Sequence, residues 1–142
     1  MDGSTRRVNH LRRWAVVELR GARLTAEDQL KLKVSHPGDG VCVIAVSGEV
    51  DMMTVPGLDA VVAEQCAALP STVVLDLMAV RFLGSSGLGS LIAARDAAHA
   101  IGAQLRLVCQ GPAVLRPMDL TGLTELFEVY PDQVSALRGR LR

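Results

Sequence analysis

The sequence predicts a mixed α/β fold, a single β-sheet with helices packed on it. Leu30, Leu32 and Val34 alternate with Lys31 and Lys33, and the apolar run Val41-Cys42-Val43-Ile44-Ala45-Val46 follows them. Between the two lies His36-Pro37-Gly38-Asp39-Gly40, a turn by composition, so the pair reads as a β-hairpin. Beyond it, segments with helical spacing alternate with short apolar runs, the order expected of helices layered on a sheet.

The elements follow in order. The first strand is half exposed, and its lysines suit an edge. The second is fully buried, after which Ser47-Gly48-Glu49-Val50-Asp51 leaves the sheet. Thr54 stands as an N-cap with Pro56 in the first turn, and Val55, Leu58, Val62, Cys66 and Leu69 form one helical face. Pro70 and Ser71 end that helix before a strand over 72–77. A helix over 86–101 brings Leu88, Leu91, Ile92, Arg95, Ala98 and Ile101 to helical spacing and stops at Gly102. Gln104 to Cys109 is the next strand, and Gly111-Pro112 opens a short helix through Met118. After Leu120 and Thr121-Gly122, residues Leu126-Phe127-Glu128-Val129 make a short last strand. Pro131 begins a terminal helix with Val134, Leu137 and Leu141.

At 142 residues and 49% hydrophobic, the chain suits one well-buried domain, placed over 28–138. Aromatic residues are only 3%, so Val, Leu, Ile, Ala and Met must build the core. Residues 1–27 read as an extension, partly helical, with an apolar patch at Leu11, Trp14, Val17 and Leu19. Arg6, Arg7, Arg12, Arg13, Arg20 and Arg23 make it basic, and a solvated arm is the plain reading of such a charge run. Residues 139–142 form a short basic tail.

A formal net charge of zero argues against nucleic acid held by phosphate neutralisation. No run approaches the roughly 18 apolar residues of a membrane span, and the first 20 residues lack an apolar signal core. Cys42, Cys66 and Cys109 are far apart, without a CxxC pair or a His at ligand spacing, so no metal or other cofactor is expected. The three read as reduced core thiols of a cytoplasmic protein, with a redox pair as the alternative.

Catalysis is not expected either. Gly84-Ser85-Ser86-Gly87-Leu88 lacks the last glycine of a nucleophile elbow, and His99 lies more than three helical turns beyond Ser85. Gly84, Gly87 and Gly89 match neither a dinucleotide fingerprint nor a P-loop. Asp76, inside a buried strand pattern, suits a bond to backbone better than a metal site with Asp51.

The candidate site is the serine pair Ser85-Ser86, where a strand pattern gives way to a helix pattern. A hydroxyl there can cap free N–H groups, and a phosphate on it would lie in the field of the helix N-terminus. On its own the pair reads as an N-cap and a small first-turn residue, and Ser90, farther along, as structural.

Three motifs change that balance. Gly48-Glu49-Val50-Asp51 with Thr54-Val55-Pro56-Gly57-Leu58, then Val74-Leu75-Asp76-Leu77, then Phe82-Leu83-Gly84-Ser85-Ser86-Gly87-Leu88-Gly89 resemble, in that order and spacing, the STAS domain, and more narrowly the bacterial anti-sigma factor antagonists. The resemblance covers about residues 28–138 and implies a STAS-like domain without catalytic activity. It implies that the unphosphorylated protein binds an anti-sigma factor that is also a serine kinase and thereby frees a sigma factor. Phosphorylation of a serine by that kinase breaks the complex, and a PP2C-type phosphatase restores binding. By this resemblance Ser85 is the acceptor, with Ser86 second, and the partner surface comprises Asp51, Thr54, Gly84, Ser85, Ser86, Gly87 and Leu88. The family commonly has Asp where this chain has Gly84, which removes a charge available for kinase recognition. A phosphorylation-independent scaffold or sensor subunit is therefore the alternative. The oligomeric state is left open.

Overall fold

The computed structural model describes residues 14–18, by their backbone, and residues 30–139. Six strands form one sheet in the order of the sequence: β1 (Trp14–Glu18), β2 (Leu30–Gly38), β3 (Val41–Val50), β4 (Thr72–Leu83), β5 (Gln104–Val108) and β6 (Glu128–Tyr130). The pairs β1–β2 and β2–β3 are antiparallel, and β3 through β6 run parallel. Four helices complete the domain: α1 (Val55–Cys66), α2 (Ser85–Ala100), α3 (Pro112–Leu120) and α4 (Gln133–Arg138). The hairpin and the alternating order beyond it are as the sequence predicts. The hairpin turn is tighter than its composition suggests: β2 runs to Gly38, and Gly40 turns the chain with φ +71.

Both faces of the central strands are covered. On one face Cys42, Ile44, Val46, Val73, Leu75, Leu77 and Leu107 pack beneath α1, α2 and α3, meeting Leu58, Val62, Leu91, Ala94, Ala98 and Met118. On the other, Val43, Val74, Val108 and Tyr130 pack around Ala136 of α4. Strands buried on two faces read as continuous apolar runs, which is why residues 41–46 and 72–77 were legible. Asp132 caps α4, its Oδ1 accepting from the Ser135 amide and hydroxyl at 2.8 Å each. These bonds hold the Asp132 carboxyl below its usual pKa. Arg106, whose guanidinium donates to Ala136 O at 2.9 Å, ties the helix to β5.

Several boundaries differ from the sequence reading, each for a local reason. Trp14–Glu18, placed in an extension with some helix, is a strand on the sheet edge, so β2 is interior and Lys31 and Lys33 protect no edge. Ser47 to Val50 stay in β3 instead of leaving the sheet, paired with the far end of β4. That strand runs six residues past 77, because two register shifts against β3 absorb extra residues. Asp76 fills the first irregularity as expected, accepting from the Met78 amide at 3.0 Å through Oδ1, while Gln133 donates to Oδ2 at 2.7 Å.

Leu69 lies beyond α1, exposed and at φ +57, and does not belong to the helical face. The last strand begins two residues later than predicted, because Leu123–Leu126 form a 3-10 turn. Val134 and Leu137 are exposed on α4, whose buried contact is Ala136. Leu11, Leu19, Leu141 and the clustered arginines lie outside the described residues.

Candidate functional site

The serine pair sits at the carboxyl end of the parallel strands, the end where open α/β sheets usually present their binding residues. β4 enters α2 through the single residue Gly84, whose amide donates to Val50 O at 2.9 Å. This bond joins the end of β3 to the start of α2. Gly84, not a serine, is the N-cap, and no side chain caps the helix. Ser85 is therefore the first helical residue and is exposed, whereas Ser86 is half buried. Capping, the simplest role for the pair, is not what either serine does.

Gly84 is extended, at φ −88 and ψ −176, a conformation open to any residue. A Cβ there would meet the Phe82 ring at 3.2 Å, so the ring occupies the space beside the missing side chain. Gly87 is glycine for want of room. A Cβ on it would lie 2.5 Å from Leu83 Cδ1, 2.9 Å from Val50 Cγ1 and 3.2 Å from Val50 O.

The turn between β3 and α1 forms the other side of the site. Asp51 Oδ1 accepts from the amides of Met53 at 2.9 Å and Thr54 at 3.1 Å. Thr54 was expected to cap α1, but its hydroxyl makes no cap bond. It is fully buried instead, donating to Glu49 O at 2.9 Å and accepting from the Asp51 amide at 3.0 Å. Asp51 holds the turn ahead of α1, and Thr54 locks that turn to the strand. A Thr54→Val substitution keeps the shape but orphans both backbone groups, so it is expected to destabilise the fold by about 1–3 kcal/mol. Chemical denaturation of the two proteins checks this.

The residues expected at the partner surface thus divide. Ser85 is exposed, and Asp51, Gly84 and Ser86 are half buried. Thr54, Gly87 and Leu88 are buried and shape the surface from beneath. Ser90 is structural as expected: buried, with its hydroxyl bonded to Asp59 of α1. Sequence reasoning missed three residues. Met52 is 75% exposed, Met53 59% and Phe82 50%, so large apolar side chains are exposed on the turn after β3 and near the end of β4, the two segments joined by the bond from Gly84 to Val50. The available signal was an apolar pair between a strand end and a helix start, where no core-facing period applies.

The Asp51 carboxylate holds the turn, and Arg81 lies 3.9 Å from Glu49. The three cysteines are unpaired and buried. Burial, with some help from Cys66, pushes the Cys42 thiol up to about 12, and burial with Asp76 nearby pushes Cys109 up to about 11. Cys42 Sγ donates to Gln65 Oε1 at 3.4 Å, beside a cavity of about 500 Å³ at the opposite end of the sheet. Among the described residues no three His, Cys, Asp or Glu side chains are grouped to hold a metal ion, and no helix is long and apolar enough to cross a membrane.

Comparison with known proteins agrees with this architecture. The family model described as STAS domain matches residues 34–136. The anti-sigma-F factor antagonist RsfB of Mycobacterium tuberculosis is 33% identical over 116 residues, 82% of this chain and 93% of that protein. The crystal structure of an anti-sigma factor antagonist from Mycobacterium paratuberculosis superposes with a TM-score of 0.72 at 40% identity, over 82% of this chain and 97% of the other. The phosphorylated form of the Bacillus cell fate determinant SpoIIAA shares the fold, with a TM-score of 0.61 at 18% identity over 77% of this chain and 99% of the other. Matched in sequence across most of its length and in fold across the same span, this chain belongs to the STAS domain family.

Proposed function

We propose that this chain is an anti-sigma factor antagonist of the cytoplasm, acting by binding and not by catalysis. In this reading the domain over 28–138, with the strand Trp14–Glu18 added to its edge, binds a kinase-type anti-sigma factor and so releases a sigma factor. Phosphorylation of Ser85 by that kinase ends the complex, and a PP2C-type phosphatase resets it. The names of the relatives support the antagonist role. The observation that carries the site is the position of Ser85, exposed at the first residue of α2, at a junction bonded to the strand end that precedes the exposed Met52 and Met53.

The chemistry favours a switch at this residue. A phosphoserine brings about −1.5 to −2 charges and three acceptor oxygens. In the free domain it meets the unpaired N–H groups of the first turn of α2, which a negative charge stabilises by about 0.3–1 kcal/mol. In a complex the same group must be desolvated among apolar neighbours. Modification at Ser85 thus opposes association far more than it opposes folding.

The test is incubation of the purified chain with the kinase-type anti-sigma factor and ATP, followed by phosphopeptide mass spectrometry. Phosphate is expected on Ser85, and Ser85→Ala is expected to bind the partner while taking up none. Phosphate found only on Ser86 or elsewhere would sink the assignment. Firm binding with no phosphate at all would favour the scaffold reading, in which Gly84 marks loss of the kinase signal.

A further inference from the structure

The sulfur atoms of the described residues fall into two groups. Those of Cys42, Cys66, Cys109 and Met118 are buried in the core. Accessible sulfur belongs to methionine: Met52 and Met53 in the turn before α1, and Met78, farther down β4 at its first irregularity. The first two are adjacent, and their turn is fixed by Asp51 and by the buried Thr54. Val50, immediately before this turn, receives the Gly84 amide, so the turn that carries both methionines adjoins the junction that carries Ser85.

A thioether is apolar, flexible and polarisable, and it packs well against apolar or aromatic partner surfaces. The Asp51 carboxylate is held by its own turn, and the exposed thioethers offer apolar contact beside it. The same sulfur is a target for peroxide. One oxygen atom passes from the peroxide to the sulfur as the O–O bond breaks. The sulfur is oxidised by two electrons, the peroxide is reduced to water, and a polar sulfoxide replaces the thioether.

We propose that Met52 and Met53 are contact residues for the anti-sigma factor, and that their oxidation by a peroxide releases the complex with Ser85 unmodified. This rests on the reading of the Ser85 face as the partner surface. It gives that surface a second, redox-sensitive control, while the buried cysteines stay inert. Methionine sulfoxide reductases make the change reversible.

The test treats the full chain with hydrogen peroxide, removes the peroxide, and measures affinity for the purified anti-sigma factor by calorimetry. Oxidation at each methionine is followed by peptide mass spectrometry. Sulfoxide at Met52 and Met53 is expected to weaken binding by about tenfold or more, and reductase treatment to restore it. The double variant Met52→Leu, Met53→Leu has no thioether in the turn to oxidise, so peroxide is expected to leave its affinity at the variant's own untreated value. Equal losses in the wild type and the double variant would overturn the proposal, as would undiminished binding by the oxidised wild type. Absence of sulfoxide at Met52 and Met53 under conditions that oxidise Met78 would overturn it too. Failure of the untreated chain to bind at all would instead remove the antagonist reading, and this proposal with it.

Discussion

Ser85→Asp is expected to lower affinity for the anti-sigma factor by about a hundredfold or more, with almost no change in melting temperature. The two halves have separate causes. In the free protein the new carboxylate sits at the first residue of α2, where no side chain caps the helix and the dipole favours negative charge. Folding therefore gains slightly or stays level. In the complex that carboxylate must lose its water on a face whose exposed apolar side chains, Met52, Met53 and Phe82 among them, cannot pair with it. Poorly compensated burial of a charge costs on the order of several kcal/mol, and about 1.4 kcal/mol is a factor of ten. Calorimetric titration with thermal unfolding of the same sample reads both halves. A variant that binds as the parent does would place Ser85 outside the interface.

Gly87→Ala is expected to lower stability by about 1–3 kcal/mol and melting by several degrees, because overpacking outweighs the gain in helix propensity. The new methyl group would lie 2.5 Å from Leu83 Cδ1 and 2.9 Å from Val50 Cγ1, both on buried side chains. Val50 O, at 3.2 Å, is backbone and already accepts from Gly84, so it cannot move without moving the start of α2. Gly89, two residues along, has nothing within 4 Å of a Cβ. Gly89→Ala is accordingly expected to stabilise the helix by up to about 1 kcal/mol. Thermal unfolding of the pair should show opposite signs. Equal, small effects would mean that the junction of β3 with α2 yields more readily than its packing implies.

The sheet was legible where its strands obey a simple period, and illegible where they do not. Leu30, Leu32 and Val34 alternate, and Val41 to Val46 run apolar without a break, so β2 and the first half of β3 declare themselves. Farther along β4, Leu77, Val80 and Leu83 are buried at intervals of three, which is not a strand period. The two register shifts against β3 produce that spacing, and no sequence rule anticipates them. Trp14 to Glu18 was hidden differently, as a short apolar stretch among arginines that becomes a strand only because β2 offers an edge.

At the candidate site, the sequence located the serine pair at the junction of β4 and α2, but it did not show that the Thr54 hydroxyl serves buried backbone instead of capping α1. A threonine before a helix gives the same sequence signal whether its hydroxyl caps the helix or serves buried backbone. Met52 and Met53 carry no distinguishing signal in the sequence, because an apolar residue reads alike in a core and on a surface. Only exposure distinguishes a core methionine such as Met118 from a surface one.

The bond from the Gly84 amide to Val50 O has a consequence for how an enzyme would address Ser85. Protein kinases commonly read an acceptor within an extended segment that threads their cleft. Here the hydroxyl is fixed in the first turn of a helix, one residue from a strand and clamped to the end of another. Adopting an extended form would require that junction to come apart. As the proposed acceptor, Ser85 is thus presented by a folded surface and not by a string of neighbouring residues. An enzyme that modifies it must dock on the domain as a whole, so selection of the substrate and formation of the complex become a single event.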